Sequence, residues 1–356
     1  MKRPLTTVVI CSRDGAAVLP ETLDGLANQR VDFAFDVVVV DDGSRDDTAE
    51  LARASTAAMP EHIRGRVVLH ETSEGVGASR ADGLRGVRTP VVVMIDDDCV
   101  APPHWLATLM AAWRQADPGI MAIGGFVRAH RRDTFNRRYL DAREPHRPLE
   151  LDFARRAGLM GRLLRAARPP HHAGRRAVYS LVGGNLSFRR SALEAVGGYD
   201  RAIRFGGPET RVCEALRERY GDDSLLALPE LVVSHEFEPE LASTMGRAWR
   251  AGRAAGRDWA WRGSLPSLRP APAVVGAAAL VASVTTTALG GRPMGLLAGL
   301  ASVLTAGTWA WGRTLRSESP ESLAYPVVAA VEEIVHDVGV IAGYISHHGE
   351  RAPAGR

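Results

Sequence analysis

Four short runs of aliphatic, largely β-branched residues, at 7–11, 36–40, 66–69 and 91–95, lack the polar alternation of half-exposed strands. Such runs suit strands buried on both faces, the situation inside a parallel sheet. Between them the apolar positions take helical spacing: Val18, Leu19, Leu23 and Leu26 in the first gap, Ala49, Leu51 and Ala52 in the second, Leu84 and Val87 in the third. The order is β-α-β-α-β-α-β, which right-handed crossovers fold into an α/β, doubly wound, mostly parallel sheet. Ligands of such sheets sit beyond the carboxyl ends of the strands. The polar clusters of this chain fall there: Ser12, Arg13 and Asp14 after the first run, Asp41 to Ser44 after the second, Asp96, Asp97 and Asp98 after the fourth.

Three consecutive carboxylates repel one another and cost stability unless a cation or several donors neutralise them. A divalent ion does so most economically, and hard oxygen ligands suit Mg²⁺ or Mn²⁺, which complete their shells with substrate phosphates. A solvated acidic turn capping the next helix is the plainer alternative. Asp41 and Asp42 can likewise serve as a helix cap, or accept hydrogen bonds from a nucleobase or ribose. The Gly75-x-Gly77 pair resembles a dinucleotide fingerprint only partly, because Arg80 stands where the third glycine belongs and Glu71 and Glu74 would repel a pyrophosphate. A nicotinamide site is therefore rejected.

At 356 residues the chain exceeds the span of one growing core, so more than one unit is expected. Hydrophobic residues at 46% and charged residues at 24% exclude a wholly disordered chain and a polytopic transporter. Cys11, Cys99 and Cys213 are odd in number and far apart, and read as reduced thiols. The N-terminal apolar run ends at Arg13 with no cleavage-site pattern, so the N-terminus is expected in the cytoplasm. From Arg128 to Arg176 fourteen Arg face five acids, a local balance of +9 within a net charge of +3. Beyond Pro270, residues 273–290 and 294–312 carry no charge and are joined by a turn at 291–293. Their length and flanking arginines predict a transmembrane hairpin with both ends in the cytoplasm. The tail from Leu323 to Ile345 carries Glu332, Glu333, His336 and Asp337, and is expected to lie on the membrane surface rather than span it. The expected organisation is 1–125 and 126–240 as two halves of one catalytic domain, 241–270 a basic helical linker, 271–315 the hairpin and 316–356 an amphipathic tail.

From about Thr7 to Trp259 the chain resembles the family 2 glycosyltransferases of the GT-A fold, in residues 8–14, 39–44, 74–80, 94–98, 183–190 and 197–200. The order and spacing of these pieces carry the resemblance. It implies a metal-dependent, inverting transfer of a sugar from a nucleoside diphosphate of UDP or GDP type to an acceptor. Carried over, Asp98 and Asp96 are metal ligands for Mn²⁺ or Mg²⁺ and Asp97 turns toward ribose. Asp42, Cys11 and Arg13 form the base pocket, Arg80 contacts nucleotide or carboxylate, and Gly184 and Asn185 lie on the acceptor side. The family's catalytic base falls in a Gly-Glu-Asp type motif. Here Pro208 replaces the first acid and Glu209 stands at the second, so Glu209 is the candidate base, with a first-turn helix residue as the alternative. His235, after another apolar run, is a candidate metal or diphosphate ligand.

The Arg-rich insert carries no nucleic-acid motif, and anionic lipid head groups explain it better. That points to an acceptor at the cytoplasmic membrane face, a polyprenyl phosphate or a glycolipid. Arg247, Arg250 and Arg253 could contact the diphosphate or lipid phosphates, but read first as solvated helix surface. Two rivals stand beside the transferase: a membrane-anchored nucleotide-sugar binder that has lost activity through Pro208, and a haloacid-dehalogenase-like phosphatase. The second would need Asp96 at the end of a first strand, whereas whole βα units precede it.

Overall fold

The computed structural model describes residues 4–151, 174–266 and 320–350. The hairpin expected at 271–315 lies outside the described residues, as do residues 152–173 of the Arg-rich insert. Among the described residues no helix is long and apolar enough to cross a membrane.

The first half follows the expected alternation: β1 (Thr6–Ser12), α1 (Leu19–Ala27), β2 (Phe35–Asp41), α2 (Thr48–Ala57), β3 (Ile63–Leu69), α3 (Val76–Gly83) and β4 (Val91–Met94). Then come β5 (Cys99–Val100), α4 (Trp105–Gln115), β6 (Ala122–Ala129), α5 (Phe135–Arg143), β7 (Leu149–Glu150), β8 (Arg176–Ser180), β9 (Leu186–Arg189) and α6 (Arg190–Ala195). The remaining elements are α7 (Pro208–Tyr220), β10 (Leu225–His235), α8 (Leu241–Trp261) and α9 (Tyr325–His347).

The strands order as β3-β2-β1-β4-β9-β6-β10-β8-β7, with β5 paired to β10. Strands β1 to β4 pair in parallel, as expected. Beyond β4 the sheet is mixed: β9 lies antiparallel to both β4 and β6, while β6 and β10 are parallel. The sheet thus departs from a mostly parallel one because a short return strand is inserted at its centre. Strand β6 spans residue 125, so the sheet runs without a break through the two expected halves.

Alternate residues of the apolar runs supply two cores. Val8, Ile10, Val37, Val39, Val93 and Ile95 pack with Leu19, Leu23 and Leu26 of α1 and with Trp105 and Leu106 of α4 on one face. Val9, Val38, Val40, Val92 and Met94 pack with Phe188, Leu193 and Leu216 on the other. Burial on both faces is why these strands carry no polar alternation.

The chain folds into two compact units. The first comprises 1–132, 144–155 and 172–237 and holds the sheet; the second comprises 133–143, 156–171 and 238–356. In the second, α5 anchors the pair α8 and α9: Arg143 Nε donates to Glu332 Oε2 at 2.7 Å, the Tyr139 hydroxyl to the same oxygen at 2.6 Å, and Arg138 pairs with Glu321. Asn136 Nδ2 donates to the carbonyls of Glu238 and Glu240 ahead of α8. In the first unit Arg128 pairs with Glu144 and Arg175 with Glu230. Arg128, Arg138, Arg143 and Arg175 of the basic segment thus have internal carboxylate partners. The three cysteines are free thiols.

Candidate active site

The parallel pairing of β1 with β4 puts their carboxyl ends side by side, and the Ser12 hydroxyl donates to Asp97 Oδ2. Thr22 of α1 donates to the Asp97 carbonyl at 2.7 Å, fixing the turn that carries the three acids. Burial, then the neighbouring Asp98 charge, pushes the Asp97 carboxyl up to about 8, against the pull of the Ser12 hydroxyl. Strand β5 then doubles back antiparallel to the end of β10, with Cys99 opposite His235. That register brings His235 Nε2 to 3.2 Å from Asp98 Oδ2. The imidazole is buried and packs on Phe237 at 4.4 Å and His146 at 5.0 Å between ring centroids.

Donor atoms of Asp98, Cys99 and His235 all lie within 4.8 Å of one another. A carboxylate oxygen, an imidazole nitrogen and a thiol converging at one strand end fit a divalent cation. Burial and the Asp98 charge hold the Cys99 thiol well above its ordinary range, so its proton stays unless a cation replaces it.

Arg80 ties this corner to α7. Its Nη1 donates to Glu209 Oε2 at 2.7 Å and its Nη2 to Asp96 Oδ1 at 3.0 Å, with the side chain 7% exposed. The guanidinium lies 5.6 Å from the Tyr199 ring centroid. Burial opposes its charge, but Glu209, Tyr199 and Asp96 more than offset that and raise its pKa. Gly183 and Gly184 form the wall beside it. A Cβ at Gly183 would come within 2.6 Å of Arg80 Nη2, and one at Gly184 within 2.9 Å of Asp96 Oδ2. The glycine pair is needed because the backbone has to pass that close to the charged groups.

Asp42, at the end of β2, is held by four donors. Oδ1 accepts from His70 Nδ1 and the Glu74 amide, both at 2.8 Å; Oδ2 accepts from the Ser73 hydroxyl at 2.8 Å and the Gly75 amide at 3.0 Å. Burial would raise its pKa, but these donors, His70 foremost, bring it below the usual carboxylate value. Arg13, half exposed, donates to Ser73 Oγ at 2.8 Å and so joins Asp42 through Ser73. Cys11 is partly buried on β1, and burial pushes its thiol up to about 12, which leaves it neutral.

The structure thus gathers Asp96, Asp98, His235, Arg80, Glu209 and Gly184 into one corner, with Asp97 behind it and Asp42 and Arg13 along the edge. Asn185, which the resemblance sets on the acceptor side, is held in a buried hydrogen-bond cluster. It is 0% exposed; Nδ2 donates to the Phe126 and Leu231 carbonyls, both at 2.9 Å, and Oδ1 accepts from Trp105 Nε1 at 3.0 Å. Both amide protons are thereby used. The sequence reading missed Cys99 and His70 as site residues, and named Ser12 only within a strand-end cluster. Cys99 directly follows the acidic triplet and His70 directly follows an apolar run, so the strand-end rule that found Asp42 also covers them.

Over 135 residues the chain is 32% identical to an undecaprenyl-phosphate 4-deoxy-4-formamido-L-arabinose transferase of Shewanella sediminis, covering 37% of this chain and 39% of that one. A validoxylamine A glucosyltransferase of Streptomyces hygroscopicus subsp. jinggangensis is 32% identical over 123 residues, 34% of this chain and 28% of its own. The matches thus span well under half the length of these two curated relatives. The mannosyltransferase PcManGT from Pyrobaculum calidifontis, solved with GDP-Man and Mn²⁺, superposes with a TM-score of 0.54 at 18% identity over 96% of this chain and 87% of that one. That likeness supports a GT-A-like mixed α/β sheet. The model of Glycosyl transferase family 2 matches residues 7–197, more than half of the chain and the whole stretch from β1 through the glycine wall to α6, and the chain belongs to that family.

Proposed function

We propose that this chain is a metal-dependent, inverting glycosyltransferase that moves a sugar from a UDP- or GDP-type nucleotide sugar to an acceptor hydroxyl or phosphate at the cytoplasmic membrane face. The observation that carries the reading is the single corner in which Asp96, Asp98 and His235 meet Glu209 through Arg80. A cation bound there, Mn²⁺ or Mg²⁺, supplies neutralisation of charge on a departing diphosphate. Asp98 and His235 are the residues that would hold it, with Cys99 in reach. In the reaction an acceptor oxygen bonds to the anomeric carbon, the bond from that carbon to the diphosphate oxygen breaks, and the electron pair leaves with the nucleotide. Glu209 takes the acceptor's proton on the opposite face, its carboxylate aimed by Arg80. The lipid-phosphate substrate named for the Shewanella relative supports an undecaprenyl-type acceptor here.

One observation favours a second reading. The Glu209 carboxylate is already engaged by Arg80 at 2.7 Å, which suits a nucleotide-sugar binder without turnover. A thermal-shift panel of nucleoside diphosphates and their sugars, with and without Mn²⁺, identifies the donor, since ligand binding stabilises the folded state by mass action. Nucleoside diphosphate release from the stabilising donor then separates transferase from binder. Asp98→Ala should abolish the metal-dependent shift; a panel without any stabilising donor refutes both readings.

A further inference from the structure

Helix α9 is amphipathic the wrong way round for water. Its exposed residues are Val327, Val331, Ile334, Val338, Ile341, Ile345 and Ser346, the first six at alternating spacings of four and three. Val327 is 65% exposed and Ile345 69%. The charged residues of α9 are all partly buried: Glu332 is taken up by Tyr139 and Arg143, and His336 Nδ1 lies 3.2 Å from Asp337. A helix packed on a soluble core shows the reverse, with its apolar stripe inward.

The inner side of α9 meets α8 through glycines on both partners. A Cβ at Gly252 would come within 2.0 Å of the His336 carbonyl oxygen, and one at Gly256 within 2.0 Å of that of Val340; Gly343 likewise abuts the Arg253 carbonyl oxygen at 2.2 Å. Both helices carry Gly-x-x-x-Gly, Gly252 to Gly256 and Gly339 to Gly343. Small residues at the crossing, paired charges inside and aliphatic groups outside form the pattern of helices that meet lipid. Three further facts select a bilayer over a protein partner. Residues 273–290 and 294–312, which carry no charge, connect α8 to α9 in sequence. Exposed Arg250, Arg253 and Arg262 on and just beyond α8 complement anionic head groups. Exposed Trp249 on α8 is a residue type favoured at the bilayer interface.

We infer that the outer stripe of α9 lies in the interface of an anionic bilayer, with α8 supplying cationic contacts. The helix lies along the surface, its aliphatic side chains reaching the acyl boundary. This surface is separate from the transfer chemistry, so its test needs no donor or metal.

The full chain is mixed with vesicles of phosphatidylcholine alone or with phosphatidylglycerol, and binding is read by flotation. The chain floats with the anionic vesicles. Val331→Gln, Ile334→Gln and Val338→Gln together lower the bound fraction at least tenfold, and Arg250→Gln with Arg253→Gln weakens binding to anionic vesicles alone. In a Cys11→Ser background, an environment-sensitive dye at Ile341→Cys shifts to the blue with vesicles, whereas the same dye at Glu218→Cys does not; this keeps the test open should the triple variant misfold. Unchanged flotation of a folded triple variant, equal dye shifts at both positions, or a dimer in light scattering that the triple variant abolishes without any vesicle binding would each overturn the inference.

Discussion

Arg80→Met tests whether the acidic corner is held together by one guanidinium. Methionine keeps the apolar stem beside Tyr199 and removes the charge, so the change isolates the two charge-assisted hydrogen bonds. They are unequal. Glu209, 19% exposed at its side chain, would be left with little water to replace its partner, whereas Asp96, 39% exposed, would regain hydration. Breaking a buried pair by removing one member costs roughly 3–5 kcal/mol, and a hydrogen bond to a charged group contributes about 1.5–3 kcal/mol. Counting the Glu209 side nearly in full and the Asp96 side at a small fraction gives a loss of about 2–4 kcal/mol. Urea unfolding of the metal-free full chain at neutral pH, followed by tyrosine and tryptophan fluorescence, measures it. Adding Glu209→Gln removes the stranded charge and should recover about 1–2 kcal/mol, a coupling of the size found between contacting residues. Mn²⁺ should also offset part of the loss, because it supplies a second cation near Asp96. A change below about 0.5 kcal/mol in Arg80→Met, the range of an ordinary surface substitution, refutes the reasoning.

Glu209→Gln should leave donor binding intact and slow turnover by about 10²- to 10⁴-fold, the usual worth of a general base; unchanged turnover in a rate assay removes Glu209 from the mechanism. Without a divalent cation, Asp97 holds a proton in the folded chain that the unfolded chain releases above about pH 4, so stability is fullest below that pH and falls as pH rises through about 8. Urea midpoints at a series of pH values should show that decline in EDTA, and Asp97→Asn should flatten it; equal slopes in the two proteins refute the assignment. Asn185→Ala strands Trp105 Nε1 and the Phe126 and Leu231 carbonyls, and should cost about 3–5 kcal/mol while leaving the acceptor KM of the folded fraction unchanged. A raised acceptor KM with normal stability would instead place it on the acceptor side.

Strands β1, β2 and β4 were legible because burial on both faces forces an uninterrupted apolar run, and few other local states tolerate one; β3 is the edge strand, with Val67 and Val68 half-buried and Leu69 43% exposed, so its run is not doubly buried as expected. The insertion of β9 was not. Its four residues, Leu186–Arg189, are too short to show a period, and their partners in β4 and β6 lie far away in sequence. The acidic triplet and Asp42 were found from one rule, that ligands gather at the carboxyl ends of parallel strands. His235 was found because β10 ends there. Arg80 was found only as part of a resemblance. That it reaches both Asp96 and Glu209 depends on the packing of α3 against a glycine wall more than a hundred residues away. The hydrogen bonding of the Asn185 amide was not legible, because its partners come from α4, β6 and β10 together.

Asp42 shows how tightly the strand-end edge after β2 is organised. An ionised carboxylate offers about four acceptor positions, and all four are taken by His70, Ser73, Glu74 and Gly75. For Asp42 to contact a base, one donor has to give way. The Glu74 and Gly75 amides are fixed by the backbone leading into α3, and the His70 ring is 5% exposed, with Nε2 3.2 Å from Asp82 Oδ2. Ser73 alone can leave by a rotation of one bond, and its hydroxyl is also the acceptor of the half-exposed Arg13. A ligand reaching this edge would therefore meet the Ser73 and Arg13 pair first, with Asp42 as the fixed charge behind them.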